Sequence, residues 1–114
     1  MVTEQKRAGQ FLLAEANGTL SRERIVIASG QGLLEAGQVL GKVTATGKYG
    51  KYDNLDTTTG LGAAAAILYD GVDATAADAD AVGVFRHAEV KAAELTGIDT
   101  AGRADLAATQ VIFR

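Results

Sequence analysis

The sequence contains no cysteine. Disulfide frameworks and thiolate metal sites are therefore excluded, and with them the route by which many small secreted domains make up for a thin core. It contains no tryptophan either, and only three Phe and three Tyr in 114 residues. A chain of this length suits one domain burying roughly 65% of its unfolded surface. Alanine is the commonest residue, so the apolar area per residue is low. At about 25 cal/mol per Å² such a core stabilises weakly, and association with other copies or a partner would strengthen it. Long apolar runs are missing as well. Phe11 to Ala14 is interrupted by Glu15, short of the ~7–15 residues of a signal peptide or the ~20 of a membrane span. The expectation is synthesis in the cytoplasm and no membrane partner.

Excess positive charge is absent too. Eleven Lys and Arg stand against 14 Asp and Glu, for a net charge of -3, with the signs interspersed. Nucleic-acid binding depends on clustered cations that neutralise phosphates, so no direct nucleic-acid partner is expected.

What is present reads as a mostly β chain. Met1 to Gln10 has a single apolar side chain after the initiator, Val2, too little to fix a conformation by burial. It is expected to be an arm, with Phe11-Leu12-Leu13 joining it to the domain. Asn17-Gly18-Thr19 is a turn signal. Glu23 to Ala28, with Ile25, Val26 and Ile27, predicts a buried strand closed by Ser29-Gly30-Gln31-Gly32. From Val39 a strand of about seven residues is predicted, with Val39, Gly41, Val43 and Ala45 on its apolar face. A tight connection then leads to a short strand, whose Tyr49 and Tyr52 are expected to cap the sheet edge.

Asp53 to Gly62 reads as an exposed loop. Ala63 to Tyr69 predicts a central strand of small residues that allows close approach of another element. A second strand is predicted over Val82 to Arg86, continued past a kink at Arg86-His87 by Ala88 to Leu95. Asp99 or Thr100 is expected to cap a short helix to about Ala108, with Leu106 and Ala107 facing the core. Val111-Ile112-Phe113-Arg114 predicts a last strand returning to the sheet.

Each candidate for chemistry fails its own test. Gly30 and Gly32 follow a strand, but a dinucleotide fingerprint needs a third Gly where Glu35 stands, and Gly37 and Gly41 break the required helix. Ser29 lacks the glycines of a nucleophile elbow. Asp70, Asp73, Asp78 and Asp80 cluster, yet alanines occupy most alternating positions where a calcium loop needs ligands. His87 stands alone, without a Cys or second His for zinc, or a Ser for a triad. Lys48 and Lys51 beside Tyr49 and Tyr52 are too few cations for a strand-binding surface. No catalytic residue, metal site or cofactor is assigned, and an enzyme is not expected.

Several strings carry a resemblance. They are Ala63 to Tyr69 followed by Asp70, Phe85-Arg86-His87-Ala88-Glu89-Val90, and the short helix leading to Val-Ile-Phe-Arg. Phe11 to Ser29 and the Ala36 to Thr44 segment add to them, so nearly the whole chain is covered. In these the chain resembles the phage lambda-like head decoration proteins and their prophage members. The resemblance implies a small β-barrel or sandwich-like domain with one short C-terminal helix, residues 11–114, preceded by a flexible arm, residues 1–10. It implies a structural virion protein that binds as a homotrimer to the outside of an expanded capsid and stabilises the head, its partner being the major capsid protein. Thr3, Glu4, Gln5, Lys6, Arg7 and Gln10 become the candidate capsid-binding arm. Phe11, Leu12, Phe85 and Arg86 become candidate anchors of that arm or trimer contacts. The rival reading is a small ligand-binding or carrier module of β-clip type, which would expose a modifiable Lys48 or Lys51 at a hairpin tip.

Overall fold

The computed structural model describes residues 8–15 and 21–114, with the side chains of Ala14 and Glu15 left out. Its strands are β1 (Leu12–Glu15), β2 (Arg22–Ile27), β3 (Gly32–Leu34), β4 (Val39–Lys42), β5 (Tyr49–Lys51) and β6 (Ala64–Leu68). They continue with β7 (Val72–Ala74), β8 (Ala79–Val84), β9 (Ala88–Val90) and β10 (Val111–Phe113). A 3-10 turn (Ala92–Glu94) and one helix, α1 (Thr100–Ala107), lie between the last two strands. Among the described residues the protein is thus mostly β with one short helix, as its sequence predicts. The turn at Asn17-Gly18-Thr19 lies outside the described residues.

Five strands close a barrel in the order β2-β5-β4-β6-β8. A three-stranded sheet, β1-β9-β10, has β9 antiparallel to β1 and parallel to β10. A ribbon, β3-β7, completes the strands. Two apolar clusters follow from this arrangement. One fills the barrel with Ile25, Ile27, Leu34, Leu40, Tyr49, Ala66, Leu68 and Ala74. The other joins the outside of the barrel (Val39, Tyr52, Ala64, Ile67, Val84) to the second sheet and the helix through Phe11, Ala88, Val90, Leu106 and Val111.

This layering overturns the alternation expected from Val39 onward. Val39 faces the outer cluster and Leu40 the inner one, and both are fully buried because β4 is covered on both faces. The strand ends at Lys42, and Thr44 to Thr46 form a turn with Ala45 exposed. Tyr49 and Tyr52 are core residues for the same reason, not caps of a sheet edge. Tyr52 donates its hydroxyl to Asp99 Oδ1 at 2.9 Å.

Asp99 caps α1 by accepting from Gly102 N at 2.7 Å. Leu106 is buried as expected, whereas Ala107 is exposed. Gly102 takes the inward place instead, because a Cβ there would lie 3.1 Å from the Tyr52 ring and 3.3 Å from Ile98 Cδ1. A residue that lowers helix propensity is what lets the helix seat on the ring. The small residues of β6 serve a similar approach, since Ala64 N–H donates to Asp105 Oδ2 of α1 at 3.0 Å.

The strand after the kink is also reassigned. His87 adopts φ 54, an uncommon backbone for a residue with a Cβ, and there the chain leaves the barrel. Ala88 to Val90 pairs in the second sheet and does not extend β8. The aspartate-rich connection likewise holds a strand, β7, which pairs with β3.

Candidate functional site

The junction between the N-terminal segment and the fold is held by several contacts. Gly9 N–H donates to Tyr69 O at 2.8 Å, and Leu12 N–H turns back to Gly9 O at 2.9 Å. Gly9 has φ 66, and a Cβ there would stand 3.0 Å from the Tyr69 ring. Both the turn and the ring contact therefore call for glycine. Phe11 follows, wholly buried in the outer cluster, while its carbonyl accepts from Lys91 N at 2.8 Å. Gln10 reaches Glu94 through its amide at 3.1 Å. The guanidinium of Arg22 lies 3.9 Å above the Tyr69 ring centroid, a cation–π contact over the same ring that Gly9 touches.

Of the arm residues named from sequence, Thr3, Glu4, Gln5, Lys6 and Arg7 lie outside the described residues. Gln10 is exposed and bonded to the domain. The four anchor candidates divide into two places. Phe11 and Leu12 belong to the outer cluster, whereas Phe85 packs against the barrel interior, edge-on to Tyr49 with ring centroids 5.7 Å apart. Arg86 lies over Phe85 and forms an ion pair with Glu23.

Exposed apolar side chains mark a second surface. On the three-stranded sheet Leu13 and Ile112 are 47% and 48% exposed, flanking Glu89, which is paired with Arg114 at 2.7 Å. Leu55 is 87% exposed, although the loop carrying it is well braced. Asp53 accepts from Leu55 N–H, and Asp56 accepts from the N–H groups of Thr58 and Thr59 and the Thr59 hydroxyl. Those bonds, the Thr59 hydroxyl first, hold the Asp56 carboxyl below its ordinary value. Nothing in the sequence string separates Leu55 from an ordinary loop leucine, because its exposure depends on how the loop folds back.

Groups suited to reaction chemistry are dispersed. Among the described residues no three His, Cys, Asp or Glu converge in a way that could hold a metal. His87 is half-buried, and its N–H donates to Thr109 O at 3.3 Å. Lys48, the hairpin lysine of the carrier reading, is tied to Asp78 at 2.6 Å. The ammonium group, followed by the Ser29 N–H, lowers the Asp78 carboxyl. Burial, followed by the bond to Asp99, pushes the Tyr52 phenol up to about 12, so it serves as a neutral donor inside the fold. What the described surface offers instead is exposed apolar side chains, Leu13, Leu55 and Ile112.

No individually curated protein matches the chain. The family model for bacteriophage lambda head decoration protein D matches residues 1–112. A match over almost the whole chain, on a mostly β fold with one short helix, places the protein among structural proteins of the phage capsid: it belongs to the lambda head decoration protein D family.

Proposed function

We propose that this protein decorates the outside of an expanded phage head as a homotrimer and stabilises the shell, with the major capsid protein as its partner. The family match over residues 1–112 carries the reading. Residues 1–10 are the attachment arm and residues 11–114 the decoration domain. The turn at Gly9 to Leu12, pinned to the domain by Gly9 and Gln10, gives any load on the residues before it a path into the outer cluster through Phe11. An arm that adds a strand to a capsid edge gains a few backbone hydrogen bonds, each worth a net ~0.5–1.5 kcal/mol. One arm binds weakly; three on one trimer act together through effective concentration. Selectivity for expanded heads follows if expansion exposes the edge or brings three sites into register.

The test is co-sedimentation of purified protein with undecorated expanded heads and with unexpanded precursors. Saturable binding to the expanded heads alone is the expected result. Absence of binding to heads of its own phage overturns the reading. A chain lacking residues 2–7, which keeps the Gly9 contact, is expected to lose most of its affinity; unchanged affinity would remove the arm from the mechanism.

A further inference from the structure

The turn that carries the chain from the barrel into the ribbon is Tyr69-Asp70-Gly71, between β6 and β7. Both of its ends are fixed. On the barrel side Tyr69 N–H donates to Val82 O at 2.9 Å, and Tyr69 O accepts from Gly9 N–H at 2.8 Å. On the ribbon side the ladder begins at once, with Val72 opposite Leu34. Asp70 and Gly71 themselves are exposed, and theirs is the one Asp-Gly step in the sequence.

The carboxylate of Asp70 is bonded differently from those of the other loop aspartates. Asp53 accepts from Leu55 N–H, Asp56 from the N–H groups of Thr58 and Thr59, and Asp73 from Thr75 N–H. Each of these reaches past the next residue, the usual way in which aspartate organises a turn. Asp70 instead accepts from the residue directly after it, Gly71 N–H, at 2.8 Å. The Gly71 nitrogen is thereby held against the one carboxyl with which it can close a succinimide ring. Holding two reacting groups in contact removes much of the entropic cost of their reaction. Approach is open as well, because the peptide nitrogen belongs to a residue without a Cβ.

We propose that Asp70-Gly71 is a site of spontaneous covalent modification, at which Asp70 isomerises to isoaspartate in the folded protein with water as the only co-reactant. In the first step Gly71 N attacks Asp70 Cγ. The N–Cγ bond forms, a Cγ–O bond breaks, and the N–H proton leaves with the carboxyl OH as water. In the second step water adds to the main-chain carbonyl carbon of Asp70 in the succinimide. The bond from that carbon to Gly71 N breaks, a free α-carboxyl group is left, and the main chain now runs through Cβ and Cγ. Addition of water at Cγ instead regenerates aspartate. Nothing is oxidised or reduced, and the product is an isomer of the starting chain.

The modified main chain is longer by one carbon, in a turn whose two ends are already paired. Register between Val72 and Leu34 is set by that turn. Tyr69 O, which holds Gly9, stands one peptide unit before the altered residue. Conversion therefore loosens both the β3-β7 ribbon and the turn at Gly9. This goes beyond the capsid reading and does not rest on it.

The test stores the full chain in water enriched in the heavy oxygen isotope, folded in one sample and unfolded by urea in another. Trypsin places Asp70 in the peptide 52–86, apart from Asn17-Gly18 in the peptide 8–22, and fragmentation locates the modified residue. Isoaspartate carrying heavy oxygen is expected at residue 70, accumulating in the folded sample at least as fast as in urea. Gly71→Ala should slow it several-fold. Slower conversion in the folded sample means that the fold protects the step and overturns the proposal. So does isoaspartate without heavy oxygen, or no conversion in either sample. As a second readout, hydrogen exchange at Gly9 should quicken in the converted protein; unchanged exchange there would overturn the loosening. No measurement uses heads, so failure to bind heads and failure to isomerise are told apart.

Discussion

The barrel interior and the layer between the barrel and the outer sheet are both apolar, yet they draw on different parts of the chain. The interior cluster is made from Ile25 to Ala74, with Phe85 packed against it. The interlayer cluster takes Phe11 from one end, Val111 from the other, and Val39, Ile67, Val84 and Leu106 from between. The lesson is that the barrel can hold most of its own contacts, whereas the second layer exists only when both ends are seated. Since cooperative units within one fold open at different free energies, the interlayer should open first.

Phe11→Ala tests this most severely. The ring is wholly buried, and its loss should cost about 3–5 kcal/mol, read from urea unfolding. Exchange at β1, β9 and β10 amides should accelerate before that at β2 and β8. If all five strands exchange together, the two layers are one cooperative unit and the contrast fails.

Asp99→Ala should come next, at about 1–2 kcal/mol. It removes the cap on Gly102 and leaves the buried Tyr52 hydroxyl without its acceptor, while the barrel interior is untouched. The Tyr52→Phe change should cost about 1 kcal/mol and, unlike the others, depends on pH. The folded phenol is raised from 10.0 to about 12, by burial first and Asp99 second. The folded state therefore holds this proton more tightly than the unfolded chain does. The resulting stabilisation is complete below pH 10 and is lost as pH rises through about 12. Urea midpoints measured across that range should decline more steeply for the parent than for Tyr52→Phe; parallel declines would place the alkaline transition elsewhere.

Lys48→Ala should have the smallest effect. The Lys48–Asp78 pair is well exposed, so the loss should be slight and should disappear in added salt. A large, salt-resistant loss would mean that the turn at Thr46 to Lys48 braces the barrel where β2 and β5 barely meet.

The same division decides what could be read from the sequence. Strands β2 and β6, the cap at Asp99 and the returning Val111–Phe113 strand are legible, because β-branched runs, flanking glycines and a capping side chain act locally. The two-sided burial of β4 is not. A strand covered on both faces loses its alternation, and that cover comes from residues tens of positions away. Tyr49 and Tyr52 read as edge residues in the sequence for that reason, whereas both are buried. Gly102 in place of Ala107 on the inner side of α1 depends on which way the helix seats against Tyr52, which no window of sequence contains. At the site, the apolar run at Phe11 is visible in the string. The separation of Phe11 from Phe85 into different clusters, and the thin closure between β2 and β5, are set by long-range pairing.

The parallel pairing of β10 with β9 has a consequence for synthesis. Every barrel strand has left the ribosome once Val84 has emerged, so the barrel can close while the chain is still being made. Strand β1, the first of the described strands, must wait for β9, and the layer that seats Phe11 is completed only once Val111 has emerged. If the barrel closes at that stage it carries an uncovered outer face, the kind of transient surface on which chaperones act.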